Sequence, residues 1–262
     1  FQLHLAKTGV EGTFFVLGWL AAREPKVVQA IAEAGHEVAS HGWDHQKVTR
    51  LSPEDFREQV RRSKTLLQDL TGKPCLGYRA PSFSIVPGHE WALDVLLEEG
   101  YTYDSSMYPV KLHPDYGYPE AHRDPHVLRR ESGDLVEIPP ATWRVGNTNL
   151  PAAGGAYLRF FPVALIRNAL ASAERRGKPG TLYLHPWEFD EGMPAIPAPW
   201  RTRLRMTGGI PGVPRKMTAL TDAFEFRPMI ETARETISAA GESVTAGNGV
   251  GDAAAPGHDL PK

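Results

Sequence analysis

Short apolar runs alternate with amphipathic segments along most of this 262-residue chain, and that alternation constrains the fold more than any single motif does. A helix ending near Lys7, with Gly9 as its stop, leads into a strand over Thr13 to Leu17. Pro25 opens a helix that runs to Ala34 and halts at Gly35; Glu37-Val38-Ala39-Ser40 follows as a buried strand. Ser52 caps a further helix, with Pro53 at its first position and Glu54 and Asp55 in its first turn, carrying to Leu70 before Gly72. Strands are then expected over Cys75 to Tyr78, Tyr101 to Tyr103, Leu135 to Ile138 and Gly180 to Leu184, with helices over His89 to Glu99 and Pro162 to Arg176. Such a chain builds mostly parallel strands with crossover helices, in a sheet that opens out or closes into a barrel.

From Pro186 to Pro214 the chain is dense in Pro, Gly and Arg and reads as an ordered loop excursion. Helices are expected over Lys216 to Ala223 and Pro228 to Ala239, flanking a short Phe224-Glu225-Phe226 strand. Residues 1–239 are therefore read as one α/β domain that includes the 186–239 excursion, and 240–262, which has hardly any large apolar side chain, as a disordered tail.

With Lys plus Arg at 29, Asp plus Glu at 31 and a net charge of −2, the chain as a whole carries no footprint for nucleic acid or an anionic membrane. The one cysteine, Cys75, excludes an intramolecular disulfide and reads as a buried strand residue. No apolar run approaches the roughly 18 residues of a membrane-spanning helix. The chain begins at Phe1 without a charged and then apolar leader, so its natural start is expected upstream.

Four strand ends deliver ionisable side chains: His41 and His45, then Arg79, then Asp104, then His185. Barrels of the (β/α) type assemble their active sites on that face. Two imidazoles four residues apart on one turn can share a metal ion, although one could instead cap the turn while the other is solvated. Taken singly, Arg79 also reads as a surface ion pair, Asp104 as a cap on Ser105-Ser106, and His185 as a satisfied core histidine.

Thr13-Phe14-Phe15-Val16, His41-Gly42-Trp43-Asp44-His45, Arg79-Ala80-Pro81-Ser82 and Leu184-His185 together resemble the polysaccharide deacetylases with a NodB homology domain, carbohydrate esterase family 4. Tyr103-Asp104-Ser105-Ser106, Gly154-Gly155-Ala156-Tyr157 and His185-Pro186-Trp187-Glu188 extend the likeness to the subgroup associated with exosortase and exopolysaccharide gene clusters. The resemblance implies a distorted (β/α) barrel that removes N-acetyl groups from amino sugars of a polysaccharide or its precursor, using a divalent metal, zinc by preference. By the same carry-over His41 and His45 would be metal ligands, and the backbone N–H of Ser82 would hold the oxyanion. Arg79 would orient a catalytic carboxylate, and His185 would protonate the departing amine, aided by Asp104. Trp187 would wall a sugar ring, and Tyr157, with Gly154 and Gly155, would shape the loop over the site. Plain loop packing of these last residues is the other reading, and Glu188 receives no role.

The family's first motif, a strand ending in the general base and the third metal ligand, is expected upstream of residue 1. With that first strand missing, the resemblance implies weak metal binding, little turnover and an unpaired sheet edge. The expected partner is an N-acetylated polysaccharide or oligosaccharide, and the subgroup likeness points to the cytoplasm. The alternatives are a non-catalytic carbohydrate-binding barrel and a ring amidase.

Overall fold

A computed structural model describes residues 2–111, 116–190, 192, 197 and 199–247 of the chain. After helix α1 (Gln2–Thr8), strands β1 (Thr13–Val16), β2 (Glu37–Ser40), β3 (Gly77–Tyr78) and β4 (Tyr103–Asp104) lie side by side and parallel. Helices α2 (Gly18–Arg23) and α3 (Pro25–Glu33) make the first crossover, α4 (Pro53–Thr71) the second and α5 (Trp91–Glu98) the third. Strand β5 (His126–Arg130) turns back into β6 (Gly133–Glu137), which joins β4 in parallel, giving the order β1-β2-β3-β4-β6-β5.

Local chemistry fixes these elements. Ser52 Oγ accepts the Asp55 N–H at 3.1 Å to start α4, and Gly72, in the left-handed region at φ 65°, ends it. The same helix turns Phe56, Val60, Ser63 and Leu67 inward, a stripe at helical period, and Phe56 meets Tyr78 and Trp91 edge-on with ring centroids 5.6 Å away in each case. Cys75 is buried in this core, as expected, but precedes β3 rather than lying in it, and burial pushes its thiol up to about 12, which makes it unreactive.

Beyond the sheet come a hairpin, β7 (Thr142–Val145) with β8 (Thr148–Pro151), and helices α6 (Ala156–Phe160), α7 (Val163–Glu174), α8 (Trp200–Thr207), α9 (Val213–Thr221) and α10 (Met229–Gly247). The expected strand at Gly180 to Leu184 reduces to two isolated parallel bridges, Pro140 with Thr181 and Gly154 with Tyr183, and no closed barrel forms among the described residues. Phe224 to Phe226 is not a strand; both aromatics instead pack beside the cluster built on Leu158, Ile166, Val213 and Leu220. The Pro- and Arg-dense excursion contains a helix, α8, and α10 runs to Gly247, past Ala240 where the tail was expected to begin. The rest of that tail, 248–262, lies outside the described residues.

The last helix closes back on the first two strands. Thr13 Oγ1 accepts the Met229 N–H at 2.8 Å and Glu37 Oε2 accepts the Ile230 N–H at 3.1 Å, so a half-buried carboxylate caps the start of α10. Outside the sheet, Gly154 (φ 140°) lets the chain approach Tyr183, since a Cβ there would lie 1.6 Å from the Tyr183 carbonyl oxygen. Gly154→Ala is therefore expected to cost more than about 3 kcal/mol in urea unfolding at unchanged slope. A loss under 1 kcal/mol would show that the two segments do not meet.

Candidate functional site

His41 follows β2 directly. Its N–H donates to Val16 O at 2.9 Å, and its ring Nδ1 lies 2.6 Å from the carbonyl oxygen of Arg79. A carbonyl can only accept, so Nδ1 carries the proton and Nε2 presents its lone pair outward. Burial holds this imidazole down at about 3, hence neutral at any physiological pH. His45 stands on the same turn at φ 65°, its ring 5.2 Å from that of His41 and edge-on at 70°; partial burial lowers its pKa as well. The intervening Asp44 is exposed and accepts the Gln46 amide at 2.7 Å.

Arg79 is buried, which removes the surface ion-pair reading. Its Nε donates to Ser105 O at 3.1 Å and its Nη2 to Ser105 Oγ at 2.7 Å, with the guanidinium 4.3 Å from the Phe15 ring centroid. Burial brings its pKa to about 10, so it stays cationic at neutral pH. No carboxylate ion-pairs with it among the described residues; its observed work is to fix the turn whose carbonyl orients His41.

Asp104 is fully buried and accepts the N–H and the hydroxyl of Ser106 at 3.1 and 2.5 Å, and Ser106 Oγ in turn accepts the Ala80 N–H at 2.7 Å. The plainer reading of Asp104 as a cap on its serines is thus the observed geometry, and it braces the Arg79-Ala80-Pro81-Ser82 turn from below. Beside it in register across β4 and β6 lies Glu137, also fully buried, whose Oε1 accepts the Met107 N–H at 3.0 Å. Desolvation raises both acids, and the Asp104 charge pushes Glu137 further up, so the pair shares a proton. Because both folded-state values exceed the unfolded ones, the pair's stabilisation is present below about pH 4.5 and is lost as pH rises through the raised values. Glu137→Gln keeps an acceptor for Met107 and removes the ionisation. It is expected to raise Tm at pH 8 by several degrees and little at pH 4, checked by calorimetry.

The carboxylate beside His185 is not Asp104 but Glu188. Within the turn Pro186–Phe189, Glu188 is fully buried; its Oε2 accepts the His185 N–H at 2.9 Å and lies 3.4 Å from His185 Nδ1, while its Oε1 is paired with Arg159 Nε at 2.9 Å. Arg159 on α6 is buried too, and its Nη1 donates to Met206 O and Gly208 O at 2.9 and 3.1 Å. The His185 side chain is half exposed, which excludes a core histidine, and stacks on Trp187 with centroids 5.6 Å apart. A half-exposed histidine with Nδ1 toward a fixed carboxylate can hand a proton outward from its other nitrogen. The signal in the sequence was the His-x-x-Glu spacing on one tight turn, which lets the acid reach back to the backbone that precedes it.

The two halves face one another. A charge on His185 disfavours protonation of both His41 and His45, and Arg79 and His185 both neighbour Tyr183, at 5.9 and 5.8 Å from its ring centroid. Ser82 and Phe83, at φ 56° and 51°, share with His45 a left-handed backbone that non-glycine residues rarely hold; among the described residues these three are the only such cases, and all line this end of the sheet. The Phe83 ring meets Tyr108, Tyr116 and Tyr183 at 5.1–5.5 Å, and Tyr157, half-buried, packs on Phe161 at 5.6 Å and interacts with the Tyr116 hydroxyl.

Two neutral imidazoles with converging rings suit a borderline-soft divalent ion such as zinc. No group of three His, Cys, Asp or Glu gathers here among the described residues, so His41 and His45 could offer at most two of the three ligands typical of a catalytic zinc centre.

Comparison with known proteins agrees with this geometry. The profile of the family described as polysaccharide deacetylase matches residues 3–102, and that of a domain of unknown function (DUF3473) matches 105–234. A peptidoglycan deacetylase from Helicobacter pylori is 29% identical over 151 residues, covering 52% of this chain and 50% of that protein. A crystal structure assigned as a polysaccharide deacetylase from Mycobacterium smegmatis superposes over 91% of this chain and 76% of that one with a TM-score of 0.62 at 24% identity. PuuE allantoinase does so over 88% of this chain and 69% of that one with a TM-score of 0.60 at 18% identity; at these identities the likeness shows the fold alone. The chain spans half or less of the length of the curated relatives that head the comparison. Residues 3–102, which include His41, His45 and Arg79, match the polysaccharide deacetylase family, and the likeness to solved structures shows that the chain shares their α/β fold.

Proposed function

We propose that this chain hydrolyses N-acetyl groups on the amino sugars of a polysaccharide or its precursor, in exopolysaccharide biosynthesis, with a divalent metal, zinc by preference, at His41 and His45. The observation that carries the reading is the opposition of a neutral imidazole pair, fixed through Arg79, to a solvent-facing His185 anchored by buried Glu188. When bound, the metal supplies Lewis-acid polarisation of the acetyl carbonyl and of the attacking water. The proton of the attacking water would pass to the general base that the family's first motif supplies, and the chain's own groups provide the steps that follow. The Ser82 N–H, on a backbone held in a strained conformation, stabilises the oxyanion, and His185 Nε2 protonates the sugar nitrogen as the C–N bond breaks. Trp187, stacked on the acid, and Tyr157 flank the sugar ring.

Incubation of the zinc-loaded chain with N-acetylglucosamine oligomers is expected to release acetate and free amine in equal amounts, at the low rate implied by the missing first motif. Ammonia or a ring-opened product from cyclic amides, without acetate, would favour the ring amidase, and saccharide binding without either product a non-catalytic barrel. Glu188→Gln is expected to lower kcat about tenfold to a hundredfold with KM little changed, because the ring loses its anchor and not its contact with substrate. It also neutralises the buried carboxylate that pairs with Arg159 Nε, which should cost about 3–5 kcal/mol of stability.

A further inference from the structure

The helix α8 and its surroundings form an exposed strip that none of the chemistry above uses. Trp200 and Leu204, one turn apart on α8, are 64% and 54% exposed, and Phe160 is 47% exposed. Leu204 and Phe160 converge over Gly208, where a Cβ would lie 2.9 Å from each. The Arg159 guanidinium sits 5.3 Å from the Phe160 ring and 5.0 Å from the Trp187 ring, and it also holds the carbonyls at the end of α8 and the carboxylate behind His185. One buried cation therefore registers the apolar strip to the proposed acid, and the strip runs outward from Trp187 through Phe160 and Leu204 to Trp200.

Its charge is one-sided. From Gly192 to Thr221 the sequence contains Arg201, Arg203, Arg205, Arg215 and Lys216 and no Asp or Glu, although the whole chain is slightly acidic. Lys216 is turned inward onto the carbonyls of Leu158, Arg159 and Phe161, whereas Arg201 and Arg203 are exposed, with Arg201 over the Trp200 ring at 5.3 Å. Aromatic faces take the apolar faces of sugar rings, and guanidinium groups take carboxylates.

The geometry points to an acidic polysaccharide chain as the occupant of this strip: a polymer of N-acetylated amino sugar and uronic acid that leaves the centre past Trp187 and lies along Phe160, Leu204 and Trp200 with its carboxylates on Arg201 and Arg203. This assignment rests on the deacetylase reading and names the class of its substrate. The anchoring of α8 to the acid's own support favours a ligand that threads the site over a lipid surface, which needs no such registration.

The test is equilibrium binding to the intact chain, followed by tryptophan fluorescence, with two probes: hyaluronan hexasaccharide, which alternates N-acetylglucosamine with glucuronate, and neutral N-acetylchitohexaose. Hyaluronan is expected to bind at least tenfold tighter, with a preference that falls as salt is raised. The double variant R201Q/R203Q should abolish the preference and Trp200→Ala should weaken both probes, with circular dichroism unchanged. Equal affinity for the two probes, no hyaluronan binding, or insensitivity to R201Q/R203Q overturns the assignment. So does sedimentation with phosphatidylglycerol vesicles that is lost in W200S/L204S without hyaluronan binding, which would make the strip a membrane contact. Hyaluronan binding that responds to the variants without acetate release from any N-acetylated sugar would instead remove the deacetylase reading and leave the binding strip standing.

Discussion

Alanine in place of His185 is expected to lower kcat for acetate release by about 10²–10⁴-fold while the metal content stays at the wild-type stoichiometry. The imidazole stands outside the metal pair, half exposed, with Glu188 behind its Nδ1, so its removal takes away a proton donor and leaves His41 and His45 in place. The buried Arg159–Glu188 pair does not depend on the ring, and Glu188 Oε2 keeps the backbone N–H of residue 185, so the fold should hold. Substrate affinity should change little, since Trp187 and the strip beyond it remain. Turnover within a few-fold of wild type would mean that another group protonates the amine.

His41→Ala is expected to abolish activity and metal retention together. His41 is the better fixed of the pair: its Nδ1 is tied to Arg79 O, that carbonyl belongs to a turn braced by Ser105, Ser106 and Asp104, and burial keeps the ring neutral. A ligand already oriented and unprotonated binds metal without paying for either, and its loss leaves His45, exposed on a left-handed turn, as the remaining imidazole of the pair. After dialysis the variant should retain less than a tenth of the metal that the wild type keeps. Full retention would remove His41 from the ligand set.

How far these sites could be read from the sequence follows the physics of each signal. The parallel strands were readable because each is a short apolar run between a helix stop and a polar strand end, and so was the placement of His41 and Arg79 directly after two of them, whereas His185 follows only an isolated bridge at Tyr183. The hairpins β5–β6 and β7–β8 were not: His126–Arg130 and Thr148–Pro151 are half-exposed edges with little apolar alternation, and their pairing is decided by partners rather than by their own composition. Helix α8 was hidden in a Pro- and Gly-dense stretch because its apolar residues face solvent, which leaves no buried stripe to betray a helix. Asp104 and Glu188 show the limit most sharply. Both acids stand near the site in sequence, but which of them serves His185 depends on a tight turn that folds Glu188 back and on a sheet register that pairs Asp104 with Glu137. Neither is a property of local spacing alone.

Zinc K-edge X-ray absorption on the metal-loaded chain tests the centre most directly. Two imidazoles in the first coordination shell, at the roughly 2.0–2.1 Å of zinc–nitrogen bonds and falling to one in His41→Ala, is the predicted result. A shell without imidazole, or one unchanged by His41→Ala, would contradict the convergence of His41 and His45 on a single ion.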